Sequence, residues 1–310
     1  MREEPRPLPA PGQPPLVTVY MPTKNRLALL RRAVGSVLAQ TYRHVQLIVV
    51  DDASTDDTPA YLAALAAADP RVTCIRNSTS GGAPAARNSA IRAARGELVT
   101  GLDDDDWFDE RRLEVMVAAW QRLERQGRRF SCVFSQDVRV DGDTRTVSRK
   151  RGTVRFQDLF FYNSIGNQVL TRTSFFVEAG LFDVAMPAWQ DLDAFLRLLA
   201  LFGPAHLVDE PLYFLTLARS ADRISCGPKD RLWAAYRRLR DKSAGVTPVH
   251  RQALFLQMFG EAYGFPFDGR DLREFWRHGP HLRTGLMLAR ILLRGSGARA
   301  ARAFRAPVTP

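Results

Sequence analysis

Cysteine is scarce in this chain. Cys74, Cys132 and Cys226 are odd in number and far apart, which rules out a disulfide framework and leaves no CxxC pair for zinc. A reducing compartment, the cytoplasm, is the natural reading. Also missing are the glycine loops GxGxxG and GxxxxGK[ST], so neither a dinucleotide fingerprint nor a P-loop is present. No repeat of fixed period runs through the chain, which excludes solenoids and propellers. The opening MREEPRPLPAPGQPP lacks the apolar core of a signal peptide and reads as a disordered, proline-rich lead-in over residues 1–15. No apolar run is long enough to cross a bilayer.

Acidic residues are outnumbered. Lys and Arg total 44 against 33 Asp and Glu, a formal charge of +11 over 310 residues. An excess of that sign implies an anionic partner: a nucleotide, a nucleic acid or an anionic membrane surface. Basic residues without interleaved aromatic platforms make nucleic acid the weakest of the three.

From residue 16, short apolar runs alternate with helical patterns, which predicts a parallel sheet covered by helices. LVTVYM (16–21), VQLIVV (45–50), RVTCIRN (71–77) and ELVTGL (97–102) read as strands. LALLRRAVGSVLAQ, TPAYLAALAAA and APAARNSAIRAAR read as the helices between them, Thr58 being suited to cap the second and Pro59 to occupy its first turn. Beyond residue 110 the pattern loosens to a helix over 110–125, a strand at SCVFSQDVRV, a turn at DGDTR and a helix at QDLDAFLRLLALFG that Gly203 is placed to end. Residues 228–296 read as mostly helical and increasingly basic.

Ligands of open α/β sheets sit beyond the carboxyl ends of the strands, and polar residues collect there four times in succession. Strand one leads into Pro22, Lys24, Asn25 and Arg26; strand two into Asp51 and Asp52; strand three into Asn77, Ser78, Gly81 and Gly82; strand four into Asp103, Asp104, Asp105 and Asp106. Asp103 and Asp105 alternate along the backbone and can aim two carboxylates at one point, a donor set suited to Mg²⁺ or Mn²⁺ rather than zinc. The plain alternative is an acidic loop, with Asp109 and Glu110 favoured by a helix dipole.

In order and spacing, TVYMPTKNR, AVGSVLAQTY, LIVVDDASTDDT, GGAPAARNSAI and LDDDDW resemble the nucleotide-sugar-binding half of the family 2 glycosyltransferases. GNQVLTRTSFFVEAGLFDVAMPAWQDLDAFLRL (166–198) resembles the acceptor half. The resemblance implies a GT-A fold: a Rossmann-like, doubly wound mixed α/β sheet with a helical C-terminal extension. It divides the chain into a donor half at 16–110, an acceptor half at 111–225 and a basic helical extension at 226–310. It also implies inverting transfer of a sugar from a nucleoside diphosphate, uridine diphosphate foremost, to a saccharide or lipid-linked saccharide in cell-surface glycan synthesis. A nucleotide-binding scaffold of the same fold without turnover is the alternative.

Residue by residue, Asp52 and Asp51 resemble the contact to the nucleotide base. Pro22, Lys24, Arg26, Gly81, Arg87, Asn88 and Asp104 join them around the nucleotide sugar. Asp103 and Asp105 resemble the metal-bridging pair, and Asp191 resembles the catalytic base. Each also has a plain role open to it: turn formation for Asp51 and Asp52, surface charge for Lys24 and Arg26, a solvated helix position for Arg87, an N-cap for Asp191. Asp193 is the rival for the base, two residues on and facing elsewhere on a helix. Trp189 is suited either to stacking on a sugar or to core packing. The segment 211–225 has no histidine where relatives often carry one, leaving Arg219 and Arg223 as candidates to reach the diphosphate.

Leucines and arginines interleave from Leu282 to Arg305. A helix on the inner face of an anionic membrane and a helix packed on the domain, followed by a basic tail, both accommodate that pattern.

Overall fold

The computed structural model describes residues 13–166, 168–217, 228–243, 246–260, 263 and 265–303, with the last ten defined by backbone alone. The proline-rich lead-in before residue 13, and Arg219 and Arg223, lie outside the described residues.

Two contact units make up the chain: one formed by residues 1–156, 164–185 and 190–218, the other by 157–163, 186–189 and 219–310. The first opens with β1 (Val17–Thr23), α1 (Leu27–Leu38), β2 (Val45–Asp51), α2 (Thr58–Ala68), β3 (Val72–Arg76), α3 (Ala83–Ala93) and β4 (Leu98–Gly101). Val17, Val19, Leu47 and Val49 are wholly buried, as are Leu30, Ala33 and Val37 on the inner stripe of α1. Apolar strands need helices on their faces, and the 3.6-residue spacing of α1 supplies one.

The chain continues through β5 (Trp107–Phe108), α4 (Arg112–Arg125), β6 (Cys132–Asp141), β7 (Thr144–Val147), β8 (Thr153–Val154), β9 (Thr171–Arg172), α5 (Thr173–Glu178), α6 (Gln190–Phe202) and β10 (Ala205–Thr216). The first sheet runs β3-β2-β1-β4-β9, parallel except for β9. The second runs β5-β10-β6-β7, with β8 also paired to β10. Gly203 ends α6 at φ +111, a backbone angle that disfavours a side chain.

Helices fill the second unit: α7 (Lys229–Lys242), α8 (Pro248–Leu256), α9 (Gly269–Trp276) and the longer α10 (Leu282–Ala303). Its core gathers Trp233, Tyr236 and Phe255, whose rings meet edge to face. Asp268 caps α9 by accepting from the Arg270 and Asp271 amides, and Asp271 completes the capping box. No helix among the described residues is long and apolar enough to cross a membrane.

Candidate functional site

Strand order places the site. From β1 the chain moves one way to β2 and β3 and then returns to the other side of β1 for β4, so the loops after β1 and β4 diverge at a topological switch point. Thr23 ends β1 there and Gly101 ends β4. Tyr20 and Gly101 are directly paired, and a Cβ on Gly101 would stand 2.3 Å from the Tyr20 ring and 2.0 Å from Gln168 Oε1. Only glycine leaves room for the tyrosine beneath the site.

The four aspartates after β4 divide by alternation. Asp104 points inward, accepting from Thr23 Oγ1 at 2.7 Å and from Arg26 at 3.2 Å. Asp106 is 1% exposed and accepts from Tyr213 Oη at 2.7 Å and the Thr216 amide at 2.8 Å. Burial pushes the Asp104 carboxyl up to about 6, against the Thr23 hydrogen bond and the Arg26 charge, while Asp105 and Asp103 repel it further. Burial, followed by repulsion from Asp105 and Asp103, also lifts Asp106 well above the carboxylate range. Two of the four acids therefore resist ionisation, which lowers the repulsion in the cluster. The side chains of Asp103 and Asp105 keep 23% and 16% of their surface exposed.

One guanidinium joins the acidic loop to α6. Arg87, on α3 and 7% exposed, donates to Asp103 at 2.8 Å and to Asp191 at 3.2 Å. Beneath it Tyr20 Oη donates to Gln168 Oε1 at 3.1 Å, and Gln168 Nε2 donates to Asp103 at 3.4 Å. Burial raises the Tyr20 phenol despite Arg87 beside it, so it stays a donor. Burial alone would lower Arg87; the charges of Asp103 and Asp191 more than reverse this.

Asp191 is the second residue of α6. Its carboxyl is pushed up to about 6 by burial, against the attraction of Arg87 and with added repulsion from Asp103. Asp193 is closed off by comparison: 1% exposed in its side chain, it is gripped by Arg197 Nη2 at 2.7 Å. The same arginine donates to the Ala179 and Leu181 carbonyls, so Asp193 helps hold the turn that follows α5. Of the two acids, Asp191 alone faces both Arg87 and solvent.

The candidate nucleotide residues fall into separate groups. Asp52 accepts four hydrogen bonds, from Asn77 at 2.8 Å, Ser80 at 2.6 Å and the Gly81 and Gly82 amides at 2.9 and 2.8 Å. Burial would raise its pKa; those four bonds outweigh burial and hold it below the ordinary value. Asp51 accepts from the Ser54 amide at 2.9 Å and lies 3.5 Å from Arg76. Between these loops opens a cavity of about 420 Å³, lined by Ala53, Ser54, Thr55, Arg76, Asn77 and Ser78. Pro22, within β1, is half-buried, and Lys24 is exposed on the loop after it. Arg26 turns to the acidic loop, 3.6 Å from Asp105 as well as bonded to Asp104. Asn88 faces away: its amide donates to the Phe182 carbonyl and accepts from the Phe182 amide, an interior clamp.

Among the described residues, left-handed backbone at positions other than glycine is confined to Asn25, Ala53, Leu181 and Trp189. Asn25 and Ala53 shape the loops after β1 and β2, and Leu181 and Trp189 lie in the stretch leading to Asp191. Such angles cost energy and persist only where neighbours impose them. Asn25 Oδ1 takes the Thr55 amide at 2.7 Å and its own amide reaches Ser54 Oγ at 2.9 Å, tying the two loops together.

The donor set suits a hard divalent cation. Asp103 and Asp105 present oxygen alone, and no group of three or more His, Cys, Asp or Glu side chains stands ready for a metal among the described residues. Two carboxylates plus substrate phosphate is the habit of Mg²⁺-type sites. Tyr20, Gln168, Arg32 and Thr216 are contributors that sequence reasoning missed. Arg32 donates to the Asp105 carbonyl at 2.6 Å and lies over the Trp107 ring at 3.9 Å, while Thr216 Oγ1 donates to the same carbonyl. The adjacent polar pair Asn167–Gln168, set directly before Val169 and Leu170, was the available signal for Gln168.

The model of the family described as glycosyl transferase family 2 matches residues 18–180. An Escherichia coli K12 protein, WcaA, named as a colanic acid biosynthesis glycosyl transferase, is 37% identical over 233 residues, 74% of this chain and 82% of its own. WfaP of Escherichia coli, named as a UDP-Glc:α-D-GlcNAc-diphosphoundecaprenol β-1,3-glucosyltransferase, is 37% identical over 93 residues; the match spans 30% of this chain and 36% of that protein. Among solved structures, S. aureus TarS 1–349 in complex with UDP-GlcNAc superposes with a TM-score of 0.64 at 18% identity, over 84% of this chain and 79% of that one, a likeness of fold. With the family model covering more than half of the chain and WcaA aligned along most of it, this protein belongs to the family 2 glycosyltransferases.

Proposed function

We propose that the chain transfers a sugar from a nucleoside diphosphate, uridine diphosphate foremost, to a hydroxyl of a saccharide or lipid-linked saccharide during cell-surface glycan synthesis. The observation that carries the reading is the Asp103–Arg87–Asp191 bridge, which brings a carboxylate suited to the diphosphate side within one guanidinium of a carboxylate suited to the acceptor side. The donor and acceptor in the name of WfaP, and the ligand of TarS, support the uridine nucleotide and the lipid-linked acceptor.

The nucleoside occupies the cavity beside Asp51 and Asp52, and the diphosphate extends toward Asp103 and Asp105. Those two carboxylates would hold Mg²⁺ or Mn²⁺, which when bound supplies Lewis-acid neutralisation of the departing diphosphate. Asp191 accepts the proton of the acceptor hydroxyl as its oxygen bonds to the anomeric carbon and the bond from that carbon to the diphosphate breaks. One displacement of this kind inverts the anomeric centre. Arg87 keeps Asp191 aimed and offsets negative charge beside Asp103. Lys24, exposed on the loop after β1, is a further cation for the diphosphate.

Calorimetry with uridine, guanosine and thymidine diphosphates, with and without Mn²⁺, tests this. One nucleotide should bind only with Mn²⁺, and Asp105→Ala should weaken that binding at least tenfold. Equal binding by the variant would remove the metal assignment. Turnover of a panel of sugars on the selected nucleotide then identifies the donor.

A further inference from the structure

The helical unit carries a surface that sugar transfer does not use. One face of α10 packs inward: Thr284 Oγ1 donates to the buried Gln252 Oε1 at 2.6 Å, and Leu288 is 5% exposed. At about 100° per residue, Leu282, Leu286 and Leu293 share the opposite face. They are 82%, 57% and 74% exposed. Leu272 and Trp276, one turn apart on α9, are also exposed, as is Tyr162. Tyr162 follows Phe161, whose ring lies 3.5 Å from the Arg283 guanidinium, so this aromatic segment borders α10.

Charge narrows the choice of partner. From Phe275 to the C-terminus the chain has seven arginines and no aspartate or glutamate. A second copy of this chain would set arginine against arginine, which disfavours self-association. A polynucleotide would reward the arginines and gain nothing from three exposed leucines in a row. An anionic bilayer rewards both, since apolar insertion and attraction to headgroups add, and exposed Trp and Tyr suit the interfacial layer. We infer that this face lies on an anionic membrane surface, with Leu282, Leu286 and Leu293 at the acyl boundary and the arginines among the headgroups. The helix lies in the plane of the surface, because its arginines forbid spanning.

Flotation of the full chain tests this without any need for turnover, so it stands or falls separately from the proposed reaction. The vesicles are phosphatidylcholine alone or with about a third phosphatidylglycerol, a charge density sufficient to attract basic segments. The protein should float with the anionic vesicles, less so in high salt, and scarcely with the neutral ones. Replacing Leu282, Leu286 and Leu293 together by serine should cut partitioning roughly tenfold or more, because the apolar part of the attraction is lost. Leu282→Ser alone, at the most exposed site, keeps the comparison available should the triple variant fail to fold. Unchanged flotation of the serine variants, or equal capture by neutral vesicles, overturns the inference.

Discussion

The α/β unit and helix α10 use their arginines differently. In the α/β unit Arg87 is buried between two carboxylates, Arg197 grips Asp193, and Arg26 bridges Asp104 to Asp105. In the helical unit Arg240 and Arg277 pair with Glu274 and Arg270 with Asp230, whereas Arg290 on α10 stands exposed on the same helix as outward leucines. Inward pairing fixes geometry before a ligand arrives, at the expense of desolvating charge. Outward display fixes no geometry and leaves the unit complementary to an extended surface. Geometry set before a ligand arrives is thus a feature of the first unit, and outward basic display a feature of α10.

That contrast breaks most sharply at Asp191. Asp191→Asn should lower turnover by roughly 10² to 10⁴ while nucleotide affinity stays within about twofold, the mark of a lost general base. Because the base must be ionised, turnover of the unaltered enzyme should fall as pH drops through about 6, and rate–pH profiles will show it. Asp191 binds its proton more tightly folded than unfolded. Its contribution to stability is therefore largest in acid and declines as pH rises from the ordinary carboxylate range through about 6. An acid limb unmoved in the variant's residual activity would remove Asp191 from the role.

A smaller effect is expected beneath the site. Gly101→Ala forces a methyl into the Tyr20 ring and Gln168, and should cost about 1–3 kcal/mol by denaturant titration. Smallest of all, Leu282→Ser should change stability by less than about 0.5 kcal/mol, since an 82% exposed side chain packs on little. A larger loss there would mean that the outward face of α10 is already covered by protein.

Much of the fold was legible because periodicity is local. The strands at 16–21, 45–50, 71–77 and 97–102 and the helices between them lie within two residues of the observed boundaries. The two-residue strands Trp107–Phe108 and Thr171–Arg172 were not legible, since a pair of residues carries no period and forms only on a neighbouring strand. The acidic loop and Asp191 were legible as motifs. Their joining by Arg87 was not, because Arg87 and Asp191 stand 104 residues apart and nothing in either neighbourhood encodes the other. Asn88 illustrates the reverse: a polar residue beside a site motif turned out to be bonded to the Phe182 main chain.

The left-handed residues Asn25, Ala53, Leu181 and Trp189 bear on engineering. Glycine at any of them would relieve backbone strain in the folded chain yet enlarge the freedom of the unfolded one, so the two contributions oppose each other. A search for thermal tolerance that worked through these four positions would trade away rigidity in the loops after β1 and β2 and in the stretch before Asp191. Hardening this enzyme is better begun on the far side of its sheets, where rigidity and turnover do not compete.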